Sequence, residues 1–153
     1  MAVSALTGGR VHWVADNDPN KTLILDRRFP GIQNLGDITQ LEWADMADWG
    51  VDIITAGFPC QDISNAGKRV GIEGERSGIW ANVSEAVRVL RPKLVFLENV
   101  GAIRSRGIDR VLGDLAACGY DAQWTCYRAS AVGAPHHRDR WFCVASPADS
   151  HGC

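Results

Sequence analysis

The chain has 153 residues, 46% of them hydrophobic, which is the size of one domain with a real core. It lacks any run of 18 apolar residues, and its five cysteines form no CxxC pair and an odd total, so a spanning helix, a disulfide framework and a zinc site are not expected, and a reducing cytoplasm is. A net charge of −2 gives no overall basic signature, yet residues 1–60 hold 4 Lys/Arg against 8 Asp/Glu, and residues 61–153 hold 12 against 10. Any surface for a polyanion therefore falls in the second half, around Lys68-Arg69, Arg76, Arg104, Arg106, Arg138 and Arg140.

Val11–Ala15 reads as a strand ending at Asp16. Asp18-Pro19 then opens a helix through Leu25, with proline in the first turn, where its missing N–H costs nothing. Phe29-Pro30-Gly31 is a turn, and Asn34–Ile38 reads as a short strand reaching a polar edge. Residues 40–49 read as a weak helix, and Val51–Ala56 as a buried strand. Residues 61–77, rich in Gly, Ser, Asn and charge, read as a loop. Ile79, Val83, Val87 and Leu90 recur at helical spacing up to the stop at Pro92. Leu94–Glu98 is the next buried strand, and Ile108, Val111, Leu112 and Leu115 mark a helix ended by Gly119. Tyr120–Tyr127 and Trp141–Ala145 read as the last strands. From Pro147 the chain reads as a tail, giving a domain over 1–146 and a tail over 147–153. Strands alternating with helices predict an α/β fold with a doubly wound, mostly parallel sheet.

Two of these strands end on reactive groups. Val51–Ala56 runs into Gly57-Phe58-Pro59-Cys60-Gln61, and Leu94–Leu97 into Glu98-Asn99-Val100. A thiol and a carboxyl at the carboxyl edges of two parallel strands converge on the crevice where open α/β sheets bind ligands. Such a pair suits covalent attack on an electron-poor ring. The plainer reading of a lone cysteine is a buried inert thiol, and Cys118, Cys126 and Cys143 are read that way. The six tryptophans are read as packing residues. Adjacent His136 and His137, without a cluster around them, make poor metal ligands, and no metal is expected.

Four segments in order carry a resemblance: Gly57-Phe58-Pro59-Cys60-Gln61, Gly74-Glu75-Arg76-Ser77-Gly78, Glu98-Asn99-Val100 and Gly133-Ala134-Pro135-His136-His137-Arg138-Asp139-Arg140. Together they resemble the cytosine-C5 DNA methyltransferases, over about residues 10 to 146. The resemblance implies a sheet of the S-adenosylmethionine-dependent, Rossmann-like type. It implies Cys60 as the nucleophile that adds to cytosine C6, and Glu98 as the partner of the N3/N4 edge, holding or sharing a proton as a carboxyl taken out of water can. It implies Arg140 at the cytosine O2 and Arg138 in support. The cofactor implied is S-adenosylmethionine, with Asp16 accepting from the ribose hydroxyls, Asp37 from the adenine amino group, Ile38 against the adenine face, and Phe58 and Pro59 lining the methyl-donor side. The partner implied is DNA with its target base flipped out, in a bacterial cell or a phage-infected host. A tRNA cytosine methyltransferase of the same superfamily, and a non-catalytic remnant or subunit, are the alternatives.

The sequence departs from this family at both ends. It shows no Gly-rich Phe-x-Gly-x-Gly turn before Val11, and neither a recognition region nor a final motif after Ala145. Asp16 stands where glutamate is usual, and His136 where glutamine is. A strand missing between Val11–Ala15 and Val51–Thr55 predicts an open seam, direct pairing of the two, or a partner. Self-association or a complementing polypeptide is therefore expected.

Overall fold

The computed structural model describes residues 2–59 and 78–148. Cys60, Gln61 and the segment Gly74–Ser77 lie outside the described residues, as do Lys68, Arg69 and Arg76. The chain divides into two compact units, Met1–Glu42 and Trp43–Cys153.

The first unit opens with helix α1 (Ala2–Thr7), followed by strand β1 (Trp13–Val14), helix α2 (Pro19–Arg28) and strand β2 (Gln33–Asn34). Asp18 caps α2 by accepting from Asn20 N–H at 2.9 Å, and Pro19 takes the first helical position as expected. The helix runs one turn beyond Leu25. β1 and β2 are parallel, with Trp13 opposite Gln33 and Val14 opposite Asn34. The expected strand over Asn34–Ile38 is cut short. Gly36 sits at φ +73°, and the Asp37 side chain accepts from Thr39 N–H at 2.9 Å, which starts a 3₁₀ turn over Ile38–Gln40. A carboxylate satisfying its own backbone two residues on competes directly with an extended ladder.

The second unit begins with a 3₁₀ segment, Trp43–Trp49, in place of the expected α-helix; it buries Trp43 and Met46. Strand β3 (Ile53–Gly57), helix α3 (Ile79–Leu90), strand β4 (Leu94–Val100), helices α4 (Ile103–Arg106) and α5 (Ile108–Ala117), and strands β5 (Tyr120–Arg128) and β6 (Asp139–Pro147) follow. The sheet order is β3-β4-β6-β5. β3 and β4 are parallel, while β4–β6 and β6–β5 are antiparallel. The reversal has a simple cause. A parallel neighbour needs a crossover long enough to pass over the sheet, and residues 129–138 between β5 and β6 supply only a 3₁₀ turn over Ala129–Val132 and a loop.

One face of this sheet is dry. Val95, Leu97 and Asn99 on β4 and Trp141, Cys143 and Ala145 on β6 are buried, as period-two alternation requires. The buried residues of the helices are Trp80, Val83, Val87 and Leu90 of α3 and Ile108, Val111 and Leu115 of α5; of the expected stripes only Ile79 and Leu112 are half-buried, and Trp80 takes the place of Ile79. Trp80 Nε1 donates to Asp114 Oδ2 at 2.7 Å and ties the two helices together. On the opposite face Phe142 and Val144 are exposed. Among the described residues β1 and β2 form a two-stranded sheet and β3, β4, β6 and β5 a four-stranded one. No helix among the described residues is long and apolar enough to cross a membrane.

Candidate active site

β3 ends beside Glu98, two residues before the end of β4. Their parallel register sets Gly57 opposite Glu98, so the chain leaves β3 toward Cys60 beside the point where β4 presents its carboxylate. Gly57 has no side chain to intrude, and a Cβ there would lie 3.4 Å from Glu98 Oε2. The other carboxylate oxygen is taken: Arg140 Nε donates to Glu98 Oε1 at 2.6 Å. Arg140 is the second residue of β6, where it stands opposite Val100. Glu98 and Arg140 therefore share the sheet face that the helices leave uncovered, and three strand ends meet at one place. The Glu98 side chain is 44% exposed and that of Arg140 22%. The expectation of a carboxyl taken out of water is corrected here: Glu98 lies at the rim, charge-paired to a guanidinium, because its register position faces away from the helices.

Asn99 points the other way. It is 3% exposed, its Nδ2 donates to the Phe58 carbonyl at 2.8 Å, and its Oδ1 accepts from Val100 N–H at 2.8 Å. Pro59 has no N–H to continue a ladder, so the Asn99 amide supplies one further rung beyond Gly57. The Phe58 ring is 5% exposed and packs on Trp80 with centroids 4.9 Å apart, which makes Phe58 part of the core, while Pro59 is exposed. Arg138 is exposed just before β6, and its carbonyl accepts from Ala129 N–H at 2.9 Å.

The first unit brings Asp16 and Asp37 to the carboxyl ends of its two parallel strands. Asn34 organises this edge, a role its sequence context did not reveal. Its Oδ1 accepts from the N–H groups of Asp16 and Gly36, both at 3.1 Å, and its Nδ2 donates to Asp16 O at 3.0 Å. Asn17 Nδ2 bridges to Asp37 Oδ2 at 3.2 Å. The backbone N–H of Thr39, then its hydroxyl, then Asn17 hold the Asp37 carboxyl below its ordinary 3.8. Asp16 Oδ1 accepts from Asp18 N–H at 3.0 Å, and its Oδ2 pairs with Lys21 Nζ at 3.2 Å. Ile38 follows directly and is half-buried. Both carboxylates keep lone pairs free for hydroxyl or amino donors, a donor-seeking edge that fits the ribose and adenine of an adenosyl group.

Among the cysteines described, Cys143 is buried, which pushes its thiol up to about 11, and burial also raises that of the half-buried Cys118. Neither is primed as a nucleophile, since the thiolate is the reactive form.

The second unit is an α/β sheet with a carboxylate-arginine pair at its strand ends. The family described as C-5 cytosine-specific DNA methylase matches residues 4–151, and this chain belongs to it. Relatives include the type II methyltransferase M.CviJI of Paramecium bursaria Chlorella virus IL3A, 38% identical over 126 residues, covering 82% of this chain and 34% of the relative. M.NgoBV of Neisseria gonorrhoeae is 34% identical over 134 residues, covering 80% and 31%. The chain thus spans about a third of the length of these relatives. Among solved structures, DNMT2 of Spodoptera frugiperda superposes with a TM-score of 0.78 at 22% identity, covering 98% of this chain and 46% of that one. Dnmt2 of S. pombe gives 0.74 at 18%, covering 94% and 44%. These likenesses establish the fold as that of the methyltransferases.

Proposed function

We propose that the chain is the catalytic core of a DNA (cytosine-5) methyltransferase that uses S-adenosylmethionine and attacks a flipped-out cytosine through Cys60. The observation that carries this reading is the meeting of Glu98, Arg140 and the Gly57-Phe58-Pro59 exit at one end of the sheet. A cytosine ring is too electron-rich at C6 to accept a thiolate unless charge on N3 is met by a proton. In this reading Glu98 would share one with the N3/N4 edge, and Arg140 would turn from Glu98 toward O2 as the base enters; their contact at the sheet edge supports it. The C6–sulfur bond would form and electron density would move to C5, where bound S-adenosylmethionine would give up its methyl group, its sulfonium–methyl bond breaking to leave a neutral thioether. Loss of the C5 proton and expulsion of the thiolate then restore the ring. The cofactor supplies that electrophilic methyl group. Asp16, Asp37 and Ile38 would hold its adenosine portion, and Pro59 would lie toward the methyl. Arg138, exposed before β6, is read as support for the base pocket or the backbone.

The setting is read as the cytoplasm of a bacterium or a phage-infected host, in line with the viral and bacterial relatives. A complementing polypeptide or self-association belongs to this proposal as well. It is supported by the outer edge of β3, which makes no ladder among the described residues. The test is transfer of labelled methyl from S-adenosylmethionine to cytosine-containing duplex DNA, with an RNA substrate alongside. Transfer to DNA that is lost in Cys60→Ser supports the reading. Transfer retained in Cys60→Ser, or confined to RNA, refutes it.

A further inference from the structure

Arg140 occupies the last rung of the β4–β6 ladder, opposite Val100, and Glu98 stands two rungs in, opposite Phe142. Their 2.6 Å contact is a diagonal one, and it holds only while that terminal rung stays closed. Strand ends fray first, and although Arg140 is also paired with Tyr127 of β5, on the β4 side something beyond the rung must hold it. Three residues do. Gly101 N–H donates to the Asp139 carbonyl at 3.3 Å. The Asp139 side chain fills the place a side chain on Gly101 would need: a Cβ there would meet Oδ2 at 2.4 Å and Cγ at 2.7 Å. Arg104, at the start of α4, donates Nε to the Gly101 carbonyl at 3.2 Å and Nη2 to Asp139 Oδ2 at 3.5 Å.

Side-chain alternation explains the division of labour. Asp139 and Arg140 are neighbours on one strand and face opposite sides of the sheet. The Asp139 carboxylate therefore serves Arg104 and does not compete with Glu98. Arg140 Nη1 reaches only the Asp139 backbone carbonyl, at 3.3 Å. An exposed Arg–Asp pair alone would contribute about 0–1 kcal/mol. Here the same carboxylate also occupies a glycine's empty side-chain position, and the same guanidinium also binds that glycine's carbonyl.

We propose that Gly101, Arg104 and Asp139 form a clasp that positions Arg140 against Glu98, with Arg104 and Asp139 as positioning residues for the reaction. The catalytic meaning of the clasp rests on the function proposed above; its geometric effect does not. The test uses the full chain labelled with nitrogen-15 arginine and follows hydrogen exchange at Arg140 Nε–H, a signal assigned by its disappearance in Arg140→Lys. Arg104→Ala and Asp139→Ser are each expected to speed that exchange about fivefold, the equivalent of one hydrogen bond lost, while the melting temperature stays close to wild type. Gly101→Ala is expected to act more strongly, and Arg104→Ala, at an exposed site, keeps the test decisive if Gly101→Ala fails to fold. Unchanged Arg140 exchange in both Arg104→Ala and Asp139→Ser overturns the clasp. If methyl transfer is absent in the wild type while the exchange responds as expected, the functional reading fails and the clasp stands.

Discussion

The two units hold their candidate functional groups by different means. In the first, Asp16, Asp18 and Asp37 are fixed by hydrogen bonds to backbone N–H groups two residues on, and helix α2 buries no residue. In the second, Glu98 is fixed by a strand far away in sequence, and Asn99 reaches the Phe58 carbonyl across 41 positions. Behind that second site stands a dry core with Trp141 and Val87 fully buried. Local turns can shape an acceptor edge with little packing. Convergence of a carboxylate, a guanidinium and a strand exit needs a rigid sheet.

Core truncation should separate the units most sharply. Trp141→Ala removes a fully buried indole and is expected to cost about 3–5 kcal/mol, enough to unfold a marginal domain. Leu23→Ala on α2, where Leu23 is 63% exposed, should stay within about 0.5 kcal/mol. Denaturant melts of both variants check this, and equal losses would show that α2 packs as firmly as β6.

Next in size is the chemistry. Glu98→Gln keeps the shape but removes both the charge that pairs with Arg140 and the proton-sharing carboxyl, so methyl transfer should fall about 10²–10⁴-fold. Circular dichroism should show the fold unchanged, because the group lies at the rim. Asn99→Ala should cost about 1–3 kcal/mol, since it leaves the Phe58 carbonyl without its buried donor. Asn99→Asp should be no better, because a carboxylate cannot donate to that carbonyl.

The order of the strands and helices was legible because their signals are periodic. Val83, Val87 and Leu90 mark the buried stripe of α3, though Trp80 and not Ile79 is its buried first member, and Pro19 marks the start of α2. The strands β3 and β4 were legible as apolar runs, and the structure pairs them with Gly57 opposite Glu98, while Cys60 lies outside the described residues. The direction of β6, antiparallel to both its neighbours, was not legible, since it depends on the short connection from β5 and not on alternation. The Glu98–Arg140 contact was not legible either. It arises from an antiparallel register, which places residues on one face without any local trace in the sequence. The contacts of Asn34 with Asp16 and of Gly101 and Arg104 with Asp139 were missed for the same reason: those partners are distant in the chain. Gly36 and Asp37, by contrast, contain the local turn that ended β2, and the competition between a carboxylate and a ladder could have been read from them.

The smallest expected effect is acid sensitivity at the first unit. The Asp37 carboxyl lies below its ordinary 3.8 in the fold, so its hydrogen bonds add stability above that value, and this is lost as pH falls through the lower folded value. Asp37→Asn should therefore flatten the pH dependence of melting from about pH 4 downward and leave it unchanged near neutrality. A variant whose acid limb matches wild type would show that the Thr39 and Asn17 contacts do not persist in solution.

The most direct measurement is covalent capture. Duplex DNA with 5-fluorocytosine at the target position, incubated with the chain and S-adenosylmethionine, blocks loss of the C5 substituent and so arrests the reaction after the carbon–sulfur bond has formed. Peptide mapping should find the adduct on Cys60 and on no other cysteine, with Cys143, its thiol pushed up to about 11 by burial, unmodified. An adduct that persists in Cys60→Ser, or that maps to Cys118, Cys126 or Cys143, would contradict the account.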